Sequence, residues 1–348
     1  MKLLVVADSY VTCSVFVGVF DGLSAQHEIR YAEVDESSTF SPATPSELRV
    51  HEYLGTPAEL VRLLDGDDVL VVHGAPVTDA VLDASPSLRL VGCARGGPAN
   101  VDLEAASSRG IAVVTAPGRN ADAVADQTLA FMIMVARQFP KAQRTLLAAD
   151  RTAIGTFEGR AFLGHDLNGH ILGLVGYGHV GRRVAARALA FGMKVRAYDP
   201  FAEPDAGSGI ERVSDLERLV ADADFVSLHA RATAATENLF DSKLFSAMKP
   251  GSYFINTARE TLVDEDGLDA ALASGHLAGA ALDVSRTDGN TGIPRLLRHE
   301  NVVMTPHIGG ATHETLTRGV ELVRDDVFRF AAGQPLLHVI NREEIDSE

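Results

Sequence analysis

Cysteine is nearly absent. Cys13 and Cys93 are the only two in 348 residues and no CxxC occurs, so neither a disulfide framework nor a cysteine zinc site is expected, and a reducing cytoplasm is the simplest compartment. Long apolar runs are missing as well. The N-terminal run from Leu3 to Ala7 stops at Asp8, too short for a signal peptide. Leu129 to Ala136, the longest run, falls well below the roughly 20 residues that span a bilayer. Positive charge is scarce, with 31 Lys and Arg against 47 Asp and Glu, a formal net charge of −16. That balance opposes non-specific nucleic-acid binding and docking on an anionic membrane, but not binding of small anions, where local charge decides. There is no solenoid repeat, and the only biased stretch is the Ser-, Thr- and Pro-rich loop at 35–45. His165 and His170 pair with no Cys or Glu at a metal-ligand spacing, so no metal site is expected. Serine and cysteine nucleophile motifs are missing too.

Hydrophobic residues make up 46% of the chain, enough to fill the two cores that this length suggests. The most informative stretch runs from Ile171 to Pro200. Its apolar run Ile171 to Val175 leads into Gly176, Gly178 and Gly181, a GxGxxG turn, followed by an Ala-rich helical pattern. A second strand, Lys194 to Tyr198, ends at Asp199, close to where a dinucleotide-binding fold places its ribose-binding acid. Gly176 permits the tight turn, Gly178 lets N–H groups approach a pyrophosphate, and Gly181 lets helix pack on strand.

Further strands are expected at residues 2–7, 27–34, 69–73, 88–93 and 111–115. The helical stretches among them make a first α/β unit. Ala121 to Ala149 has no glycine and only Pro140, and reads as one long helix with a kink there. Beyond Asp199, strand-like runs at 224–229, 253–257, 279–284 and 301–305 bring the second unit to about six strands. A helix through about Ala331 and a polar tail follow. Ligands bind at the carboxyl ends of such strands, where His229, Arg259, Asp283, Asp288 and His307 fall. Arg259, in NTARE, can grip a carboxylate bidentately and polarise a carbonyl, or else pair with Glu260 or Asp264. His307 suits reversible proton transfer, and Asp288 is the candidate carboxylate beside it. Asp283 sits deeper and could face the nicotinamide end of a cofactor. In the first unit, Arg95, Gly96 and Gly97 form a turn able to hold a carboxylate, whereas Asp102 reads as a helix N-cap.

These residues resemble the D-isomer-specific 2-hydroxyacid dehydrogenases. The likeness runs from about Val69 to Gly333 through NVDLEAASSRGIAVVTAPGRNADAVAD, LGLVGYGHVGRRVA, NTARETLVDEDGL, GAALDV and TPHIGGAT. It implies two doubly wound, Rossmann-like parallel-sheet α/β domains, with a discontinuous substrate domain (1–120 and 310–348) around an NAD-binding domain (121–309). It also implies a homodimer, Arg259 as the substrate-binding arginine and His307 as proton donor. By the same matching His179, Val180, Asp199, Thr257, Asp283 and His307 to Gly310, including Gly309 and Gly310, contact NAD. His229, Ala258 and Arg259 join them at the strand ends. Asp199 favours NAD over NADP because a carboxylate repels a 2′-phosphate. Three positions depart from the family pattern. Asp288 and Gly289 stand where Glu-Pro is usual, Glu260 replaces the glycine of NTARG, and Gly74 to Thr78 (GAPVT) replaces the basic cluster of phosphoglycerate dehydrogenases. The expected function is interconversion of a D-2-hydroxyacid and its 2-keto acid. The alternative is a catalytically weak NAD(H)-binding regulatory protein of the corepressor type.

Overall fold

The computed structural model describes residues 1–23, 27–148, 158–286 and 294–345. The chain divides into two compact units, Met1–Asn120 with Ala311–Glu348, and Ala121–Gly310.

The first unit begins with β1 (Lys2–Ala7), α1 (Cys13–Phe20), β2 (Glu28–Glu33), α2 (Pro45–Arg49), α3 (Pro57–Leu63), β3 (Val69–Val72), α4 (Asp79–Asp83), β4 (Leu90–Cys93), α5 (Leu103–Ser107) and β5 (Ala112–Val114). Its sheet is wholly parallel in the order β2-β1-β3-β4-β5. β3 and β4 are uninterrupted apolar runs because both faces are covered. α2 lies directly after the stretch read as loop. Thr44, Pro45 and Glu47 start it with a capping box and a proline in the first turn. Asp102 caps α5 as expected, accepting from Ala105 N at 3.1 Å.

The second unit comprises α6 (Ala121–Ala136), α7 (Phe139–Leu147), β6 (Ile171–Val175), α8 (His179–Ala190), β7 (Lys194–Tyr198), β8 (Ile210–Arg212), α9 (Leu216–Asp222), β9 (Phe225–Leu228), α10 (Ser242–Ala247), β10 (Tyr253–Asn256), α11 (Glu265–Ala273), β11 (Gly279–Leu282) and β12 (Val302–Met304). The long helix expected at 121–149 is in fact two. A helix through Pro140 would drive its ring into the Ala136 carbonyl. Gln138 instead turns left-handed (φ 52°), Pro140 sits in the first turn of α7, and the Ala136 carbonyl accepts from His165 N at 2.9 Å. The sheet has seven parallel strands, not six, in the order β12-β11-β10-β9-β6-β7-β8. β8 has only Ile210 as an apolar residue and is held partly by ion pairing, Glu211 lying opposite Arg196 at 2.8 Å. Hydrophobic alternation could not reveal it.

The chain then completes the first unit with α12 (His313–Ala331) and α13 (Arg342–Ile345). Val320, Val323 and Val327 of α12 pack with Phe16 and Phe20 of α1. Gly92 makes room for them, since a Cβ there would lie 2.5 Å from the Val323 side chain. No helix among the described residues is long and apolar enough to cross a membrane.

Candidate active site

In the second unit the strand order reverses at β6, whose neighbours are β7 and β9. Such a switch point opens a crevice outside the strand ends. Gly176 leaves β6 there with φ +99°, and a Cβ on it would lie 2.6 Å from the carbonyl carbon of His229. A Cβ on Gly181 would lie 2.2 Å from the Gly176 oxygen, so both positions exclude any side chain. Gly178 differs: nothing lies within 4 Å of its Cβ direction. It is also the N-cap of α8 and offers no side chain to that helix's first-turn N–H groups. An open approach to uncapped N–H groups at a 12-residue helix is the cradle a pyrophosphate requires. His179 is exposed and Val180 half-buried. Asp199 accepts from Tyr177 N at 2.7 Å, Phe201 N at 2.8 Å and Ala202 N at 3.0 Å. It therefore ties the β7 end to the glycine turn, a structural task the sequence reading did not assign.

At the end of β9, His229 Nε2 lies 2.9 Å from Ser227 Oγ, and burial pushes its pKa down to about 3. The ring is therefore neutral at physiological pH, unable to attract a phosphate by charge. At the end of β10, buried Asn256 accepts from Ala258 N (2.9 Å) and donates to the Arg259 carbonyl (3.0 Å), shaping the turn that presents Arg259. Thr257 Oγ1 lies 3.1 Å from Thr128 Oγ1 on α6. Arg259 is exposed, and its side chain's one hydrogen bond among the described residues is to the Ala258 carbonyl at 2.8 Å. No ion pair to Glu260 or Asp264 forms among these residues; Asp264 instead meets Ser242 and the Asp266 amide.

Asp283, just beyond β11, organises the next turn. Its Oδ1 accepts from Gln127 Nε2 (3.0 Å), Thr305 Oγ1 (2.5 Å) and Ile308 N (2.9 Å), and its Oδ2 from Gly309 N (2.7 Å). The Asp283 carbonyl accepts from His307 N at 2.8 Å. His307 is exposed and left-handed at φ +55°, a conformation few residues with a Cβ adopt. A Cβ on Gly309 would lie 2.7 Å from Asp283 Oδ2, so this glycine is required for the turn to close on the carboxylate. Gly310 follows, half-buried. Asp288 lies outside the described residues.

The second unit thus gathers Gly176, Gly178, Gly181, Asp199, His229, Thr257, Ala258, Arg259, Asp283, His307, Gly309 and Gly310 at the carboxyl ends of its strands. Gln127, Thr305 and Asn256 belong with them and were not foreseen. The clearest available signal for Gln127 was a polar residue flanking the apolar stripe of α6.

In the first unit, Arg95, Gly96 and Gly97 follow β4. The Arg95 guanidinium donates to the Glu52 carbonyl at 2.7 Å and to the Glu52 carboxylate. The Gly97 Cβ direction is open, and that of Gly96 meets only the Ala116 oxygen at 3.6 Å. Asp8 and His73, at the ends of β1 and β3, form a buried pair at 2.9 Å. Burial raises the Asp8 pKa, but His73 and the amides of Val11 and Gly74 outweigh it and hold the carboxyl below its usual range. Among the described residues no group of His, Cys, Asp and Glu could hold a metal ion.

Residues 129–309 match the family model described as "D-isomer specific 2-hydroxyacid dehydrogenase, NAD binding domain". Hydroxypyruvate reductase of Thermotoga maritima is 37% identical over 294 residues, 83% of this chain and 94% of the relative. D-3-phosphoglycerate dehydrogenase of Archaeoglobus fulgidus is 35% identical over 83% of this chain, which spans only 54% of that longer relative. The crystal structure of TT0316 protein from Thermus thermophilus superimposes with a TM-score of 0.73 at 33% identity, covering 98% of this chain and all of the other. The chain, an NAD-dependent oxidoreductase acting on CH–OH donors, therefore belongs to the D-isomer specific 2-hydroxyacid dehydrogenase family.

Proposed function

We propose that Arg259 and His307 carry the interconversion of a D-2-hydroxyacid and its 2-keto acid. Arg259 grips the substrate carboxylate through its fork of N–H groups and polarises the keto oxygen. His307 gives a proton to that oxygen in reduction and takes it back in oxidation. Asp288 is assigned as the carboxylate that orients the imidazole. When bound, the nicotinamide supplies the hydride to the keto carbon or accepts it in the reverse direction. The cofactor would be held by Gly176, Gly178 and Gly181 at its pyrophosphate, by Asp199 at its ribose, and by His229, Thr257, Ala258, Asp283, Gly309 and Gly310 along the sheet edge. Arg95, Gly96 and Gly97 are assigned to substrate binding.

The observation that carries this reading is one of register. Asn256 of β10 pairs with Leu282 of β11, and Leu282 with Met304 of β12. Arg259 and His307 therefore leave β10 and β12, the strands on either side of β11, at the same sheet edge, with Asp283 at the end of β11 bonded to the second turn. The test is NADH oxidation over a panel of 2-keto acids. Turnover is expected with at least one of them, at a kcat/KM about tenfold or more above that with NADPH, the scale of a like-charge repulsion near Asp199. Tight NADH binding without turnover on any acid would favour the corepressor-type alternative.

The homodimer is assigned to the second unit. α7 has no buried residue, and Phe139, Leu146, Leu147 and Leu163 are 50%, 64%, 78% and 71% exposed. An apolar face of this kind fits a second copy of the chain. Sedimentation should give twice the 37.0 kDa chain mass, and a monomer at micromolar concentration would refute the assignment.

A further inference from the structure

We propose that Phe201 and Arg231 clamp the adenine ring of the cofactor, the phenyl ring stacking on one face and the guanidinium lying over the other. The proposal rests on the reading above that sets the ribose at Asp199 and the pyrophosphate at the glycine cradle, and it adds the contact that recognises the base.

Phe201 is 96% exposed, more than any other large apolar side chain among the described residues. Its place is nonetheless fixed. Asp199 accepts from its N–H at 2.8 Å and from that of Ala202 at 3.0 Å, and Ala202 packs on the core that holds Tyr177. Further along the same loop Glu203 pairs with Arg212 of β8 and Asp205 with Arg182 of α8. A turn tied at so many points, yet leaving a phenyl ring in water two residues past the ribose acid, offers a flat apolar face to the group bonded to that ribose.

Arg231 follows β9, on the other side of β6. Val175 of β6 pairs with Leu228 of β9. A Cβ on Gly176 would lie 2.6 Å from the His229 carbonyl carbon and 2.7 Å from Ala230 N, so the chain presses on the glycine turn immediately before Arg231. Ala230 and Ala232 pack on the core, and the Arg231 carbonyl accepts from Thr236 Oγ1 at 2.8 Å. The side chain between those alanines is exposed. Among the described residues its guanidinium has no hydrogen bond or ion pair, whereas Arg182, Arg196 and Arg212 of the same unit each meet a carboxylate.

Two features narrow the ligand. A phenyl ring gives a phosphate no donor, so a group that suits both side chains is flat and aromatic. The strands that carry them, β7 and β9, are both neighbours of β6. Their ends therefore stand two strand spacings apart, about 9–10 Å, room for one ring with a stacked group about 3.5 Å from each face. Adenine meets both conditions, because it is bonded to the ribose assigned to Asp199 and its π face attracts a guanidinium.

The test uses ADP-ribose, which carries adenine, ribose and pyrophosphate without the nicotinamide. Its adenine H2 and H8 proton resonances should move upfield on binding, under the ring current of Phe201. Phe201→Leu, which keeps an apolar side chain without a ring, should abolish that movement. By calorimetry Phe201→Ala should weaken ADP-ribose roughly 5- to 100-fold, and Phe201→Trp should hold wild-type affinity or better. Arg231→Met, which keeps the stem, should cost about 2- to 10-fold, equally for NADH and NADPH. Unchanged melting temperatures should accompany these losses, because neither side chain packs in the core. Resonances unmoved in wild type, affinities unmoved by both Phe201→Ala and Arg231→Met, or an Arg231 loss confined to NADPH, the mark of a 2′-phosphate contact, would overturn the proposal. If neither NADH nor ADP-ribose binds, the cofactor reading falls and the clamp with it; NADH bound with the ADP-ribose resonances unmoved removes the clamp alone.

Discussion

Replacement of His307 by alanine is expected to lower kcat by roughly 10²- to 10⁴-fold, the usual contribution of a positioned acid–base group. The affinity for NADH should change little, because the glycine cradle at Gly178 and the Asp199 tie belong to other strands. The backbone complicates a simple alanine test. His307 sits at φ +55° with its amide on the Asp283 carbonyl, so a loss could come from a relaxed turn instead of a missing proton donor. His307→Asn separates the two. Asparagine tolerates the left-handed conformation better than alanine but cannot transfer the proton. Equal losses in the two variants assign the effect to chemistry. Asparagine turnover close to wild type, measured with the best keto acid of the panel, would remove His307 from the proton-donor role.

The parts of the site that could be read in advance are those in which chemistry is encoded over a few consecutive residues. Gly176, Gly178 and Gly181 specify a turn whose main demands are local, borne out by the positive φ of +99° at Gly176 and by the clash that a Gly181 Cβ would make with the Gly176 oxygen. Asp102 as a cap is local in the same way. What was not legible depends on residues far apart in the chain. Gln127 reaches Asp283 across 156 positions, and no spacing rule connects a glutamine on an Ala-rich helix with an aspartate after a strand. β8 escaped because its three residues are chosen for an exposed edge, and α7 was merged with α6 because helical composition continues on both sides of Gln138.

Asp283→Asn is expected to have the largest effect on the fold of the site. Every group that meets this carboxylate is a donor: the Gln127 amide, the Thr305 hydroxyl and the backbone N–H groups of Ile308 and Gly309. An amide of the same shape keeps one acceptor oxygen and turns two N–H groups toward whichever donors face its nitrogen. With Nδ2 toward Gly309, the amide there loses its acceptor against a backbone with no room to shift; with Nδ2 on the other side, three donors lose theirs. The residue is buried, so water cannot make up the loss. Hydrogen bonds to a charged acceptor that become opposed donors cost about 2–4 kcal/mol together, or a fall in melting temperature of roughly 5–10 °C for a unit of this size. Turnover should fall with it, because the same bonds set the turn that carries His307. Thr305→Val, which deletes a single donor, should cost less on both measures. A variant Asp283→Asn with wild-type melting temperature and turnover would mean that the carboxylate does not hold the turn, and that His307 owes its left-handed backbone to something else.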